Sequence, residues 1–132
     1  MIPETMKGYR NNRNVGLLFS GGPAPSANAV ISSVALNLLD QRIPVVGFYH
    51  GFEYLEDYNS QDRHSLIKDV HYSFLTSEIA SIRNTQGVYL KTSRANPGKD
   101  ISKKEDLFDP KKNKKLQNIL DALDHLGVGF LI

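Results

Sequence analysis

Two short stretches carry residue types suited to holding an anion. The first runs Ser20-Gly21-Gly22-Pro23-Ala24-Pro25-Ser26. Gly21 and Gly22 have no Cβ and open φ/ψ, so an anion can approach the main chain there. Ser26 stands either to cap a following helix or to donate its hydroxyl to a ligand. The second stretch is Thr92-Ser93-Arg94, followed by the turn residues Asn96, Pro97 and Gly98. Two hydroxyls beside a guanidinium make an oxyanion clamp, because the planar fork of Arg94 matches phosphate. A third stretch, Gly47 to Leu55, is aromatic and contains glycine; Tyr49, His50 and Phe52 suit the flank of a substrate. Each has a plainer alternative: an ordinary βα turn that binds nothing, an exposed arginine, and Phe52 and Tyr54 packed under their own loop. His50 has no second histidine or acid at ligand spacing, so no metal is placed there.

The elements that must position these residues follow from the pattern. Val15, Leu17, Leu18 and Phe19 form an apolar run that suits a buried strand or a buried helix segment. From Ala27 the apolar positions are Ala27, Val30, Ile31, Val34, Ala35, Leu38 and Leu39, one face of a helix spanning 26–40. Strand, glycine-rich turn and helix is the geometry that aims backbone N–H groups at an anion. Ile43 to Phe48 is expected as a second strand, parallel to the first across a βαβ crossover. Loops beyond the carboxyl ends of such strands line the ligand crevice. Residues 65–70 read as a short strand or turn. Thr76 to Arg83 reads as a short helix with Thr76 as N-cap, Ile79 and Ile82 inward and Gly87 at its end. Val88 to Leu90 then reads as a brief strand, and 99–109 as a charged surface linker. Asp109–Pro110 is a helix start, with Leu116, Ile119, Leu120, Leu123 and Leu126 at helical spacing down to Gly127. Lys111, Lys112, Lys114 and Lys115 read as a solvated face of that helix. Val128 to Ile132 begins another buried strand.

Composition narrows the function classes. The chain has 132 residues, enough for one domain with a core. Its net charge of +2 is too small to imply nucleic acid. The excess is local, since 99–115 holds seven lysines and four acids. Zero cysteines exclude disulfides and thiolate metal sites and suit a reducing compartment. There is no run of membrane-spanning length and no secretory segment at the N-terminus, so a cytoplasmic location is expected, without membrane or nucleic-acid partners. The dinucleotide pattern GxGxxG and the GxxxxGK[ST] loop are both absent.

Three segments together carry a family resemblance. NVGLLFSGGPAPSANAVI resembles the N-terminal phosphate-binding motif of phosphofructokinases, VVGFYHGFEYL the segment after their second strand, and GVYLKTSRANPG their loop ending in an arginine. Order and separations are compatible, and the resemblance covers Asn14 to Ile132. Pro23, in place of an aspartate after the paired glycines, is nearer the pyrophosphate-dependent branch. The resemblance implies an α/β fold: a three-layer Rossmann-like sandwich with a mainly parallel sheet, incomplete at the C-terminus. Residues 1–13 are then an N-terminal extension and 14–132 the N-terminal part of the phosphoryl-donor-binding domain. It implies that Gly22 lies against the transferred phosphoryl group and that Gly21 shares its turn. It places Phe52 near the nucleotide or its vacated pocket. Arg94 then bridges phosphoryl donor and sugar phosphate, with Thr92 and Ser93 shaping its loop. The implied reaction moves a phosphoryl group from pyrophosphate or ATP to the 1-hydroxyl of fructose 6-phosphate in glycolysis.

Two departures accompany the resemblance. Ser26 stands where the family usually has glycine, and its Cβ narrows the phosphate entrance or its hydroxyl compensates. The family's glycine-glycine-aspartate run, with the Mg²⁺-holding and general-base aspartates, is expected beyond Ile132. The chain alone is therefore expected to be inactive, completed by the rest of a parent chain or a complementary subunit, with the parent a homo-oligomer. The other readings are a complete small domain whose last strand is an edge strand, a non-catalytic phosphate-binding or regulatory module of this family, and a flavodoxin-like binding domain.

Overall fold

A computed structural model describes residues 12–21, 26–84 and 89–132. Four strands, β1 (Asn14–Leu17), β2 (Val45–Phe48), β3 (Tyr72–Phe74) and β4 (Val128–Leu131), form one sheet in the order β3-β2-β1-β4. β1 runs parallel to β2 and to β4; β3 is antiparallel to β2. The pairing of β1 with β4 shifts register between Asn14 and Val15.

Two α-helices cover opposite faces, which makes three layers. Alternation along β2 divides its side chains between them. Val45 joins Leu17, Leu75 and Leu90 beneath α1 (Ala27–Asp40) and the 3₁₀ segment Ser77–Asn84. Val46 and Phe48 join Val128, Leu55 and Tyr58 beneath α2 (Lys114–His125), which contributes Ile119 and Ala122. The expected α/β sandwich with a mainly parallel sheet is what the chain forms. No helix among the described residues is long and apolar enough to cross a membrane.

Some local expectations are met and others are corrected. α1 buries Ala27, Asn28, Ile31, Ser32 and Ala35, while Val30 is 55% exposed. Ser26 occupies the N-cap position but its side chain makes no cap bond. β2 begins at Val45, since Ile43 N donates to Leu38 O and closes α1 instead. Residues 65–70 form turns with one bridge at Lys68, and the strand follows at Tyr72–Phe74. The short helix at 76–83 is the 3₁₀ segment, with Ile79 buried and Thr76 Oγ1 accepting from Glu78 N at 3.4 Å. Tyr89 and Leu90 lie in a turn rather than a strand, while Gly87 and Val88 lie outside the described residues.

The charged stretch is built, not a linker. A 3₁₀ turn at Lys104–Phe108 carries Asp106, whose side chain is buried. Its Oδ2 accepts from Ser102 N, Ser102 Oγ and Lys103 N, and Oδ1 takes Lys112 Nζ at 3.1 Å. Asp109 caps a turn by accepting from Lys111 N, and α2 starts only after Asn113. Lys112 and Lys115 are thus not merely a solvated face, because each pairs with a carboxylate, Asp106 and Glu56 respectively.

Two tests follow from this packing. A Cβ at Gly47 would lie 2.7 Å from Leu90 Cδ2 and 3.0 Å from Leu75 Cδ2, both on buried leucines that would have to shift. Gly47→Ala is expected to cost about 1–3 kcal/mol, read as a lower urea midpoint at unchanged slope. The Ser102 backbone N–H and then Lys112 hold the Asp106 carboxyl down from 3.8 to about 2. A depressed folded-state value means stability that is full above pH 4 and is lost as pH falls through about 2. Asp106→Asn is expected to flatten that acid limb of a melting-temperature profile.

Candidate functional site

Because β1 and β2 are parallel, the loops after them leave the same end of the sheet. The segment Tyr89–Arg94 comes to that end as well, and hydrogen bonds lock the three together. Gly21 N donates to Ser93 O at 3.1 Å, and Thr92 Oγ1 donates to Gly21 O at 2.6 Å. His50 N donates to Leu90 O at 2.9 Å. Leu90, fully buried against the α1-side core, anchors the segment from below.

Gly51 is the wedge between the loops. Its φ is +60°, and a Cβ there would stand 3.0 Å from Phe19 O and 3.5 Å from Ser93 Oγ. Glycine is needed at Gly51 for both conformation and space. Gly21 also has a positive φ, +106°, and no described residue stands within 4 Å of its Cβ position. Its amide is not aimed at a ligand, however, since the N–H is occupied by Ser93 O. Gly21 therefore ties the turn to the arginine segment.

The sequence-derived site residues fall as follows. Gly21, Thr92 and Ser93 are in direct contact, and Arg94, the next residue, is exposed. Ser93 Oγ accepts from Ala95 N and shapes the turn after Arg94. Ser26 is exposed at the start of α1. Neither its side chain nor any acid in the first turn caps that helix end. Among the described residues, no side chain of the first turn offsets the partial positive charge of that helix end. Phe52 is half-buried against the α2-side core. Gly22, with Pro23, Ala24 and Pro25, lies outside the described residues.

Three residues were not singled out from sequence. Gly51 and Leu90 are described above. Asn28 is 4% exposed, and its Oδ1 accepts from Tyr89 N at 2.6 Å. The available signal was an amide next to Ala27 on the inward face of the helix. Nearby, burial and then Tyr49 push the Tyr89 phenol up, keeping it protonated and able to donate. Among the described residues no three or more His, Cys, Asp or Glu side chains gather.

The phosphofructokinase family model matches residues 14–132. The chain is 29% identical over 118 residues to a pyrophosphate–fructose 6-phosphate 1-phosphotransferase of Thermotoga maritima, covering 89% of this chain and 23% of that protein. It is 35% identical over 131 residues to one of Naegleria fowleri, covering 99% of this chain and 25% of that protein. An ATP-dependent 6-phosphofructokinase of Buchnera aphidicola subsp. Cinara cedri is 37% identical over 82 residues, 62% of this chain and 22% of that protein. The chain thus spans about a quarter of the length of these relatives. With nearly every residue from the first strand to the last inside the match, the chain belongs to the phosphofructokinase family.

Proposed function

We propose that this chain forms the phosphoryl-donor side of an enzyme that phosphorylates the 1-hydroxyl of fructose 6-phosphate. Pyrophosphate is the donor favoured over ATP, because the two relatives aligned over most of the chain are named for pyrophosphate. The observation that carries the reading is the pair of bonds from Gly21 to Thr92 and Ser93. They tie Gly21 to the two residues that precede Arg94, which supports a shared anion site.

In this reading the anion sits between the turn and Arg94. Phosphoryl transfer spreads charge over the equatorial oxygens of the moving group. The guanidinium of Arg94 and the first-turn amides of α1 stabilise that charge. Gly22 lies closest to the moving group, Ser26 borders it, Phe52 lines the donor pocket, and Thr92 and Ser93 hold the arginine loop. Residues 14–132 are the donor half of the site. Mg²⁺, the base and the sugar-phosphate contacts come from the rest of a parent chain or a complementary subunit, in a cytoplasmic oligomer.

Arg94→Ala is expected to weaken calorimetric pyrophosphate binding at low salt about ten- to a hundredfold, the loss of a charge-assisted contact. Equal affinity in wild type and variant would refute the shared anion site. Residues 1–132 alone are expected to give a flat coupled assay with pyrophosphate and fructose 6-phosphate. Turnover by that polypeptide would overturn the assignment to one half of the site.

A further inference from the structure

The glycine turn is clipped to the arginine segment at two places, and only one of them involves a residue assigned above. Gly21 opens the turn and bonds Thr92 and Ser93; Asn28, just past its other end, bonds Tyr89 N. Segment 89–93 therefore spans the turn like a strut.

Asn28 is an unusual residue for its position. It is buried on the α1 face made by Ala27, Ile31 and Ala35. Burying an amide is costly unless it is hydrogen-bonded, and simple packing would be served by an apolar side chain. Its acceptor meets a backbone N–H 61 residues away, at the head of the segment that leads to Arg94. Leu90, next in the chain, is held by His50 N and by the core, so 89–93 is one short piece of chain restrained along its length, with Asn28 at its head.

We infer that Asn28 is a positioning residue for the phosphoryl-donor site, fixing through Tyr89 the distance between the arginine loop and the glycine turn. The inference rests on the donor-site reading above. Asn28 touches no donor itself in this scheme; it acts through Arg94. Without it the segment keeps its ties at Leu90, Thr92 and Ser93 but loses its tie to α1, and the guanidinium position loosens.

A double-mutant cycle on the intact protein tests this, with pyrophosphate as titrant at low salt. Asn28→Ala is expected to weaken binding about tenfold when Arg94 is present and less than about twofold in the Arg94→Ala background, because coupled residues are non-additive. Asn28→Ser, polar but too short to reach Tyr89, is the milder variant and is expected to behave the same way. Equal losses in both backgrounds, or no loss, would overturn the inference. Amide hydrogen exchange provides an arm that needs no ligand. Exchange across 89–94 should accelerate in Asn28→Ala, stay slow in Asn28→Asp, which keeps the acceptor, and leave β1 and β2 unchanged. Unaltered exchange in the alanine variant would equally overturn it. Should Arg94→Ala bind pyrophosphate normally, the donor-site reading fails, while the exchange arm still reports whether Asn28 holds the segment.

Discussion

The two hydrogen bonds between Gly21 and the Thr92–Ser93 pair are the constraint on which the site depends. They join residues about seventy positions apart, so they are present only if the intervening chain has already folded. That chain is the βαβ unit, β3 and the 3₁₀ segment. Parallel pairing puts the exits of β1 and β2 side by side, and Leu90 then pins the returning segment into the core between them. The bonds themselves are worth little individually. Their importance is geometric, because everything that makes them possible is the hydrophobic packing underneath.

Gly21 shows how a glycine-rich turn divides its labour. A turn of this type is read as a cradle in which each amide faces the ligand. Here the first glycine amide goes to the protein, and the same residue's carbonyl takes the Thr92 hydroxyl. The positive φ that permits this is why a residue with a Cβ is disfavoured, even though no described residue crowds that position. In the proposed site, contact with an anion is thereby left to other groups than the Gly21 amide.

The layered fold was legible because it is written in periodicity. The apolar run at 15–19, the helical stripe from Ala27 and the leucine series from Leu116 gave β1, α1 and α2 with errors of a few residues. The misplacements have physical reasons. Asp109–Pro110 has the grammar of a helix start, but Asp109 spends its side chain on the Lys111 amide and the helix waits for Asn113. β3 is three residues long and too short to show alternation. The stretch 99–109 reads as a linker because its organising group, Asp106, is a charge, and charges are seldom buried. At the site, the order of the glycine turn and the arginine loop could be read from residue types. The bonds that join them could not, since Asn28 and the Gly21 carbonyl act through long-range contacts that no local pattern encodes.

One ion pair and one amide bond connect the α2 layer to the loop after β2. Glu56 closes the turn after β2, with Lys115 Nζ on Oε1 at 3.2 Å and Asn118 Nδ2 on its main-chain oxygen at 2.8 Å. Glu56 is 9% exposed, and its Oε2 has no hydrogen-bond partner among the described residues. A half-satisfied buried carboxylate contributes little net stability, since desolvation offsets the attraction. An apolar pair would pack α2 equally well but without direction. The ion pair and the amide fix where α2 meets the loop that begins at His50, and that loop contains the wedge glycine, Gly51. The α2 layer, remote from the anion, thus helps set the spacing of the loops that would receive it.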